Sequence, residues 1–189
     1  MAWLEPWMVE VAYREGCFPM GLEDGTIGWY QPRKRAVFFP GEFRVTRSLR
    51  RSAKKYRITF DMAFEEVMRC CANREEGTWI TEDFFRVYGE LFRDGKAHSA
   101  EVWWEEKLVG GVYGVRLGNA FMAESMFHTM TDAGKVALWK LIEKLTREGV
   151  ELVDAQFVTP HLLFLGAKEI SHEEYLQRLH SALDKSAVS

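Results

Sequence analysis

The sequence predicts an α+β fold: one largely antiparallel mixed sheet with helices flanking it. Three observations carry this. Runs with helical spacing come first; three strand-like runs then follow one another through connections too short for a helical crossover; a long amphipathic helix leading into an apolar strand closes the pattern.

Leu4 to Glu15 carries apolar residues at helical spacing (Trp7, Met8, Val11, Ala12), with Pro6 in the first turn and Gly16 where a C-cap belongs, which predicts a short helix. From Phe18 to Pro40, prolines, glycines and Trp29-Tyr30 predict loops interrupted by short strands such as Ala36 to Phe39. The basic stretch that begins at Thr46, an N-cap type of residue, has Leu49 as its apolar anchor and reads as a surface helix. Tyr56 to Phe60 alternates like a strand, and Ala63 to Ala72 bears the helical stripe Phe64, Val67, Met68, Cys71. Thr81 is placed to cap a helix whose face is Phe84, Phe85, Tyr88, Leu91 and Phe92, and Asp94-Gly95 ends it. Strands Ser99–Trp104, Leu108–Leu117 and Ala120–Met126 are joined by Glu105-Glu106-Lys107 and Gly118-Asn119, lengths that suit hairpins and make an antiparallel meander. Asp132 to Glu148 is a long helix with Val136, Ala137, Leu138, Leu141, Ile142 and Leu145 inward. Glu151 to Val158 is a further strand, and Ser171 with Glu174 forms a capping-box pattern before the last helix. A change of composition near residues 40–45 sets a small N-terminal segment, 1–43, apart from a main domain, 44–189.

With 189 residues and 47% hydrophobic composition the chain can bury a large core. No stretch approaches the roughly 20 uninterrupted apolar residues that span a bilayer, and the first residues lack the basic-then-apolar pattern of a secretory signal. A cytoplasmic monomer without membrane contact is expected. Cys17, Cys70 and Cys71 are odd in number and lack metal-ligand spacing, so reduced thiols are expected. His98, His128, His161, His172 and His180 are too scattered for a metal site, and no Ser or Cys stands in a nucleophile's context. Neither metal, cofactor nor covalent intermediate is implied. A net charge of −3 and a pI near 6.0 exclude a protein that coats nucleic acid indiscriminately. Yet Arg44, Arg47, Arg50, Arg51, Lys54, Lys55 and Arg57 fall within fourteen residues that contain no acid. Without partners at i,i+4 these cations repel one another and call for an anion.

Several segments, in order and at natural spacing, carry a family pattern: Tyr13-Arg14-Glu15-Gly16-Cys17-Phe18-Pro19; Trp29 with Pro32 and Arg35; Arg74-Glu75-Glu76-Gly77-Thr78-Trp79-Ile80; and His98-Ser99-Ala100-Glu101-Val102-Trp103. Val109-Gly110-Gly111-Val112-Tyr113-Gly114-Val115, Glu124-Ser125-Met126-Phe127, Asp154-Ala155-Gln156-Phe157-Val158-Thr159-Pro160-His161-Leu162 and Leu165-Gly166-Ala167 continue it. From about residue 7 to residue 176 the chain resembles the leucyl/phenylalanyl-tRNA–protein transferases. It departs from their pattern at Met20, where many members carry Trp, at Gly134, commonly Ser, at Phe164, usually small and polar, and in an N-terminal segment reduced relative to the family. The resemblance implies a fold similar to the acyl-CoA-dependent N-acetyltransferases. It also implies an activity: moving Leu or Phe, and possibly Met, from aminoacyl-tRNA to the N-terminal Arg or Lys of a protein, which marks that protein for degradation by the N-degron pathway.

Asp154 and Gln156 are i and i+2 on the expected strand and would share a face. Read alone, they are a polar pair tying a sheet end to a helix, since buried polar groups need partners. The resemblance implies that they orient or deprotonate the incoming α-amino group. Glu124 alone reads as a surface carboxylate; the resemblance implies an acidic position that receives the cationic acceptor. Val112, Phe121, Leu138, Leu145 and Val153 alone read as ordinary core, and the resemblance makes them the pocket for the donor side chain. Trp79, in a polar loop, is implied as the platform for the terminal adenosine of the tRNA, with Met20 covering the base; alone it reads as a Trp plugging its loop against the core. The seven cations from Arg44 to Arg57 are expected on tRNA phosphates. An acetyl-CoA-dependent N-acetyltransferase is the first alternative, against which stand the lack of a pyrophosphate loop and a basic patch it would not need. A non-catalytic tRNA-binding protein is the second, and Glu124, Asp154 and Gln156 count against it.

Overall fold

The computed structural model describes residues 3–73, 75 and 77–185, so Arg74 and Glu76 of the pattern above lie outside the described residues. In chain order the elements are α1 (Pro6–Arg14), β1 (Phe18–Gly21), β2 (Ile27–Tyr30), β3 (Lys34–Phe38), α2 (Arg47–Ala53), β4 (Arg57–Phe60), α3 (Phe64–Ala72) and α4 (Glu82–Arg93). They continue with β5 (Ala97–Trp104), β6 (Lys107–Leu117), β7 (Ala120–His128), α5 (Ala133–Arg147), β8 (Leu152–Asp154), α6 (Pro160–Phe164), β9 (Lys168–Ser171) and α7 (His172–Lys185). Seven strands form one sheet in the order β4-β5-β6-β7-β8-β3-β9, while β1 and β2 pair apart from it. Every neighbour is antiparallel except β7 and β8. The fold is therefore α+β with a mixed, mainly antiparallel sheet. From the N-terminal segment, β3 enters the interior of that sheet between β8 and β9.

Strand alternation sends successive side chains to opposite faces, and two cores result. Tyr113 and Met122 point into a cluster with Tyr13, Val67, Tyr88 and Tyr175 from α1, α3, α4 and α7. Their neighbours Val112 and Phe121 point into a second cluster with Val136, Leu138 and Leu145 from α5 and Leu49 from α2.

Four details differ from the sequence reading. The helix α1 forms, but Val9 and Tyr13 are its buried residues, whereas Trp7 and Val11 of the expected stripe are 63% and 51% exposed. The Tyr13 hydroxyl, 2.8 Å from that of Tyr88 on α4, fixes the face that apolar periodicity misjudges. Thr81 occupies the N-cap of α4 without a side-chain cap bond; Glu82 and Asp83 instead complement the helix dipole. The strand expected over 151–158 stops at Asp154. Two short elements, α6 and β9, were not foreseen. The Ser171 hydroxyl does accept the Glu174 amide at 3.1 Å, as half of a capping box requires. Among the described residues, Cys17, Cys70 and Cys71 form no disulfide. Among the described residues no helix is long and apolar enough to cross a membrane, and no cluster of His, Cys, Asp or Glu could hold a metal ion.

Candidate active site

Pairing between β7 and β8 lasts three residues, from Ala120↔Leu152 to Met122↔Asp154. Past that point a cavity of about 620 Å³ lies between the rest of β7 and the segment that follows β8, floored by Val112 of β6 and Leu138 of α5. Its β7 wall is shaped by a bulge. Tyr113 pairs with Ser125 and Gly114 with Ala123, leaving Glu124 as the extra residue. Bulges re-aim side chains; here Gly114 permits it, because a Cβ would stand 2.1 Å from the Met122 carbonyl oxygen. A cavity of similar size between α3 and α4 includes no part of the polar network described next.

Asp154 is 1% exposed and fully engaged. Arg35 Nε donates to its two oxygens at 3.1 and 3.2 Å and Nη2 to Oδ2 at 3.0 Å. The Tyr175 hydroxyl adds a bond at 2.9 Å and the Gln156 amide N–H another at 2.8 Å. Gln156 is not on a strand, so the expected i,i+2 alternation with Asp154 does not hold. Its φ of 62° is left-handed, an uncommon conformation for a residue other than glycine. That turn, and not the pleat, carries its side chain to Glu124, where Nε2 donates to Oε1 at 3.3 Å.

Glu124, expected at the surface when read alone, is 8% exposed. Its Oε1 also accepts from the Tyr13 hydroxyl, whereas its buried Oε2 has no hydrogen-bond partner. Burial, first, and the nearby charge of Asp154 raise its pKa from 4.5 to about 7, against the hydrogen bonds of Tyr13 and Gln156, which hold it down. Burial likewise keeps the phenols of Tyr13 and Tyr88 protonated well above their ordinary range, so both remain donors.

Of the five residues expected around the donor side chain, Val112 and Leu138 line the cavity. Phe121, Leu145 and Val153 lie in the core cluster behind it. Met20 and Trp79 both line the cavity. Gly21 joins them: its N–H donates to the Trp79 carbonyl at 3.2 Å, and any side chain there would collide with that oxygen. Sequence reasoning missed Phe157, which also lines the cavity, is 44% exposed and is held edge-on by Phe18 at a centroid distance of 5.3 Å. Its place in the family pattern, directly after the Asp154/Gln156 pair, is the signal that could have found it.

The seven cations are all exposed, and among the described residues none is in an ion pair with a carboxylate. Thr46 caps α2 by accepting the Leu49 amide at 3.1 Å, which gives the stretch its helical centre. This helix is tied to the loop after β7, where Ser52 donates to Asp132 at 2.8 Å and the Tyr56 hydroxyl to the Thr131 carbonyl at 2.7 Å. His128, the last residue of β7 before this loop, lines the cavity.

A family model described as leucyl/phenylalanyl-tRNA protein transferase matches residues 37–180, and one for the N-terminal domain of those proteins matches residues 4–33. The leucyl/phenylalanyl-tRNA–protein transferase of Herpetosiphon aurantiacus is 46% identical over 188 residues, covering 98% of this chain and 97% of that protein. The one from Chlorobaculum tepidum is 47% identical over 180 residues, covering 92% and 93%. Among solved structures FemX shares the fold, with a TM-score of 0.56 at 11% identity over 87% of this chain and 66% of that one.

Proposed function

The chain belongs to the leucyl/phenylalanyl-tRNA–protein transferase family, and from that premise we propose how its cavity performs the transfer. It is an aminoacyltransferase that moves an aminoacyl group from tRNA to the N-terminus of a protein. We read the donor as Leu or Phe, with Met also accommodated, and the acceptor as an N-terminal Arg or Lys, so that the product enters the N-degron pathway. The protein would work as a monomer in the cytoplasm, where charged tRNA is present.

The observation that carries this reading is the unpartnered, buried Oε2 of Glu124 in a cavity whose lining is mostly apolar. A buried acceptor left open costs free energy unless a ligand fills it, and the α-ammonium of the acceptor protein is a donor of the right charge. With a pKa of about 7, Glu124 is poised to take the proton that frees the amine. The amine attacks the ester carbonyl, the C–N bond forms, the bond from carbonyl carbon to ribose oxygen breaks, and that oxygen leaves with the second proton that the attacking nitrogen gives up, passed on through solvent. Gln156 orients the amine beside Glu124. Asp154, whose oxygens are engaged by Arg35, Tyr175 and Gln156, supports Gln156 and is not itself the base. An aminoacyl ester is already activated, and holding the reactants in near-attack geometry contributes roughly 7–11 kcal/mol. Val112 and Leu138 receive the donor side chain, with Phe121, Leu145 and Val153 shaping that floor from behind. Trp79 and Met20 hold the terminal adenosine, and the stretch from Arg44 to Arg57 takes acceptor-stem phosphates. Transfer of labelled Leu, Phe and Met from charged tRNA to peptides beginning with Arg, Lys, Ala or Asp tests the specificity. Equal transfer to all four peptides would refute the acceptor assignment.

A further inference from the structure

We propose that Arg35 is a positioning residue for the transfer, holding Gln156 in its left-handed conformation through Asp154; this rests on the role given to Gln156 above. The Arg35 side chain is buried beside Asp154 and lies between the rings of Phe18, 5.0 Å away, and Tyr175, 4.2 Å away. Its planar fork binds the Asp154 carboxylate, and Nη1 donates to the Gly16 carbonyl at 2.9 Å. As a fold-stabilising device alone such a pair is poor, since apolar residues of similar volume commonly do as well. What distinguishes it is the strained backbone it leads to. At φ 62° Gln156 costs free energy that its surroundings must offset. Two anchors do so, and both originate in β3. The Arg35 side chain fixes Asp154, whose Oδ1 accepts the Gln156 N–H at 2.8 Å, and the Ala36 N–H donates to the Gln156 carbonyl at 3.1 Å. With the Asp154 carboxylate free to turn, the peptide unit of Gln156 relaxes and its amide leaves Glu124. A Lys at position 35 keeps the charge but cannot reproduce the fork.

The test measures single-turnover transfer with the full chain bearing Arg35→Lys, alone and combined with Gln156→Ala, below the melting temperature of every variant. Tyr175→Phe, which removes one bond to Asp154 without touching a charge, serves as a second, milder variant. Arg35→Lys is expected to lower kcat by ~10-fold or more, a barrier increase of about 1.4 kcal/mol. KM for aminoacyl-tRNA should stay within about twofold, and no further loss should follow in the Gln156→Ala background. Tyr175→Phe should show the same dependence on background at smaller size. Equal losses in both backgrounds would overturn the positioning role alone. Full turnover by Gln156→Ala would remove the parent reading, and this inference with it.

Discussion

Gln156 Nε2 lies 3.3 Å from Glu124 Oε1, joining the left-handed turn after β8 to the bulge in β7 across the point where the two strands stop pairing. Each side of that contact rests on an irregularity of the backbone. Both irregularities serve one bond, so its removal should be felt in the reaction more than in the fold.

Gln156→Ala is accordingly expected to lower kcat by ~10- to 100-fold, with tRNA affinity and melting temperature nearly unchanged. Sequence alone suggests the same for Asp154→Ala, but the burial of Arg35 changes that expectation. Removing the carboxylate strands a guanidinium in the core, a loss on the order of 3–5 kcal/mol. Thermal melts beside transfer kinetics separate the two variants; an equally stable Asp154→Ala chain would contradict the network as described.

The pKa of Glu124 sets two pH dependences. If its carboxylate receives the ammonium and its proton, the single-turnover rate rises with pH through about 7, and Glu124→Gln removes that limb. Stability runs the other way. Burial raises the pKa from 4.5 to about 7, so the native protein keeps a proton that the unfolded chain has lost. That contribution is fully present below pH 4.5 and is lost as pH rises to about 7. Glu124→Gln should therefore match the parent's stability in acid and exceed it at pH 8. Urea melts at both pH values check this, and a variant destabilised more at pH 8 than in acid would refute the buried-carboxylate account.

Much of this was legible in the sequence, and the rest failed for identifiable reasons. Period-2 and period-3.6 patterns sufficed for the meander, for α3 and for α5, where burial follows the apolar stripe. They failed on α1, where a tyrosine hydroxyl bond decides the face, and on β8, where a side-chain bond to the Gln156 amide ends the strand. The bulge at Glu124 could not be read either, because it depends on how Gly114 lies against β7. Glu124, Asp154 and Gln156 were named through family resemblance. Arg35 stands in the family pattern without a role attached, and Tyr175 carries no local signal; burial joins both to Asp154.

The floor of the cavity offers a test of donor choice. Leu138→Ala should shift the ratio of Phe to Leu transferred by an amount matching ~1–3 kcal/mol, since Leu138 lines the cavity. Phe121→Ala, in the core cluster behind, should mainly cost stability, about 3–5 kcal/mol. Competition between the two charged tRNAs reads the ratio. An unchanged ratio in folded Leu138→Ala would place the side chain elsewhere.

The basic stretch is expected to act on phosphates and not on bases. Replacing Arg50, Arg51 and Lys54 with Ala should weaken different tRNAs alike. Each lost phosphate contact should lower the slope of log affinity against log salt by on the order of 0.7–0.9. Filter binding across a salt series measures it; an unchanged slope would return the stretch to a solvated face.

The central claim is that the cavity transfers an aminoacyl group to an N-terminal cation through Gln156 and Glu124. Its most direct test is single-turnover transfer of labelled Leu from charged tRNA to a peptide beginning with Arg, using the parent chain, Gln156→Ala and Glu124→Gln, with labelled acetyl-CoA as a control donor. The account predicts transfer from tRNA by the parent chain, none from acetyl-CoA, and losses of ~10-fold or more in both variants at saturating tRNA. Acetyl transfer, or aminoacyl transfer at parental rates in both variants, would contradict it.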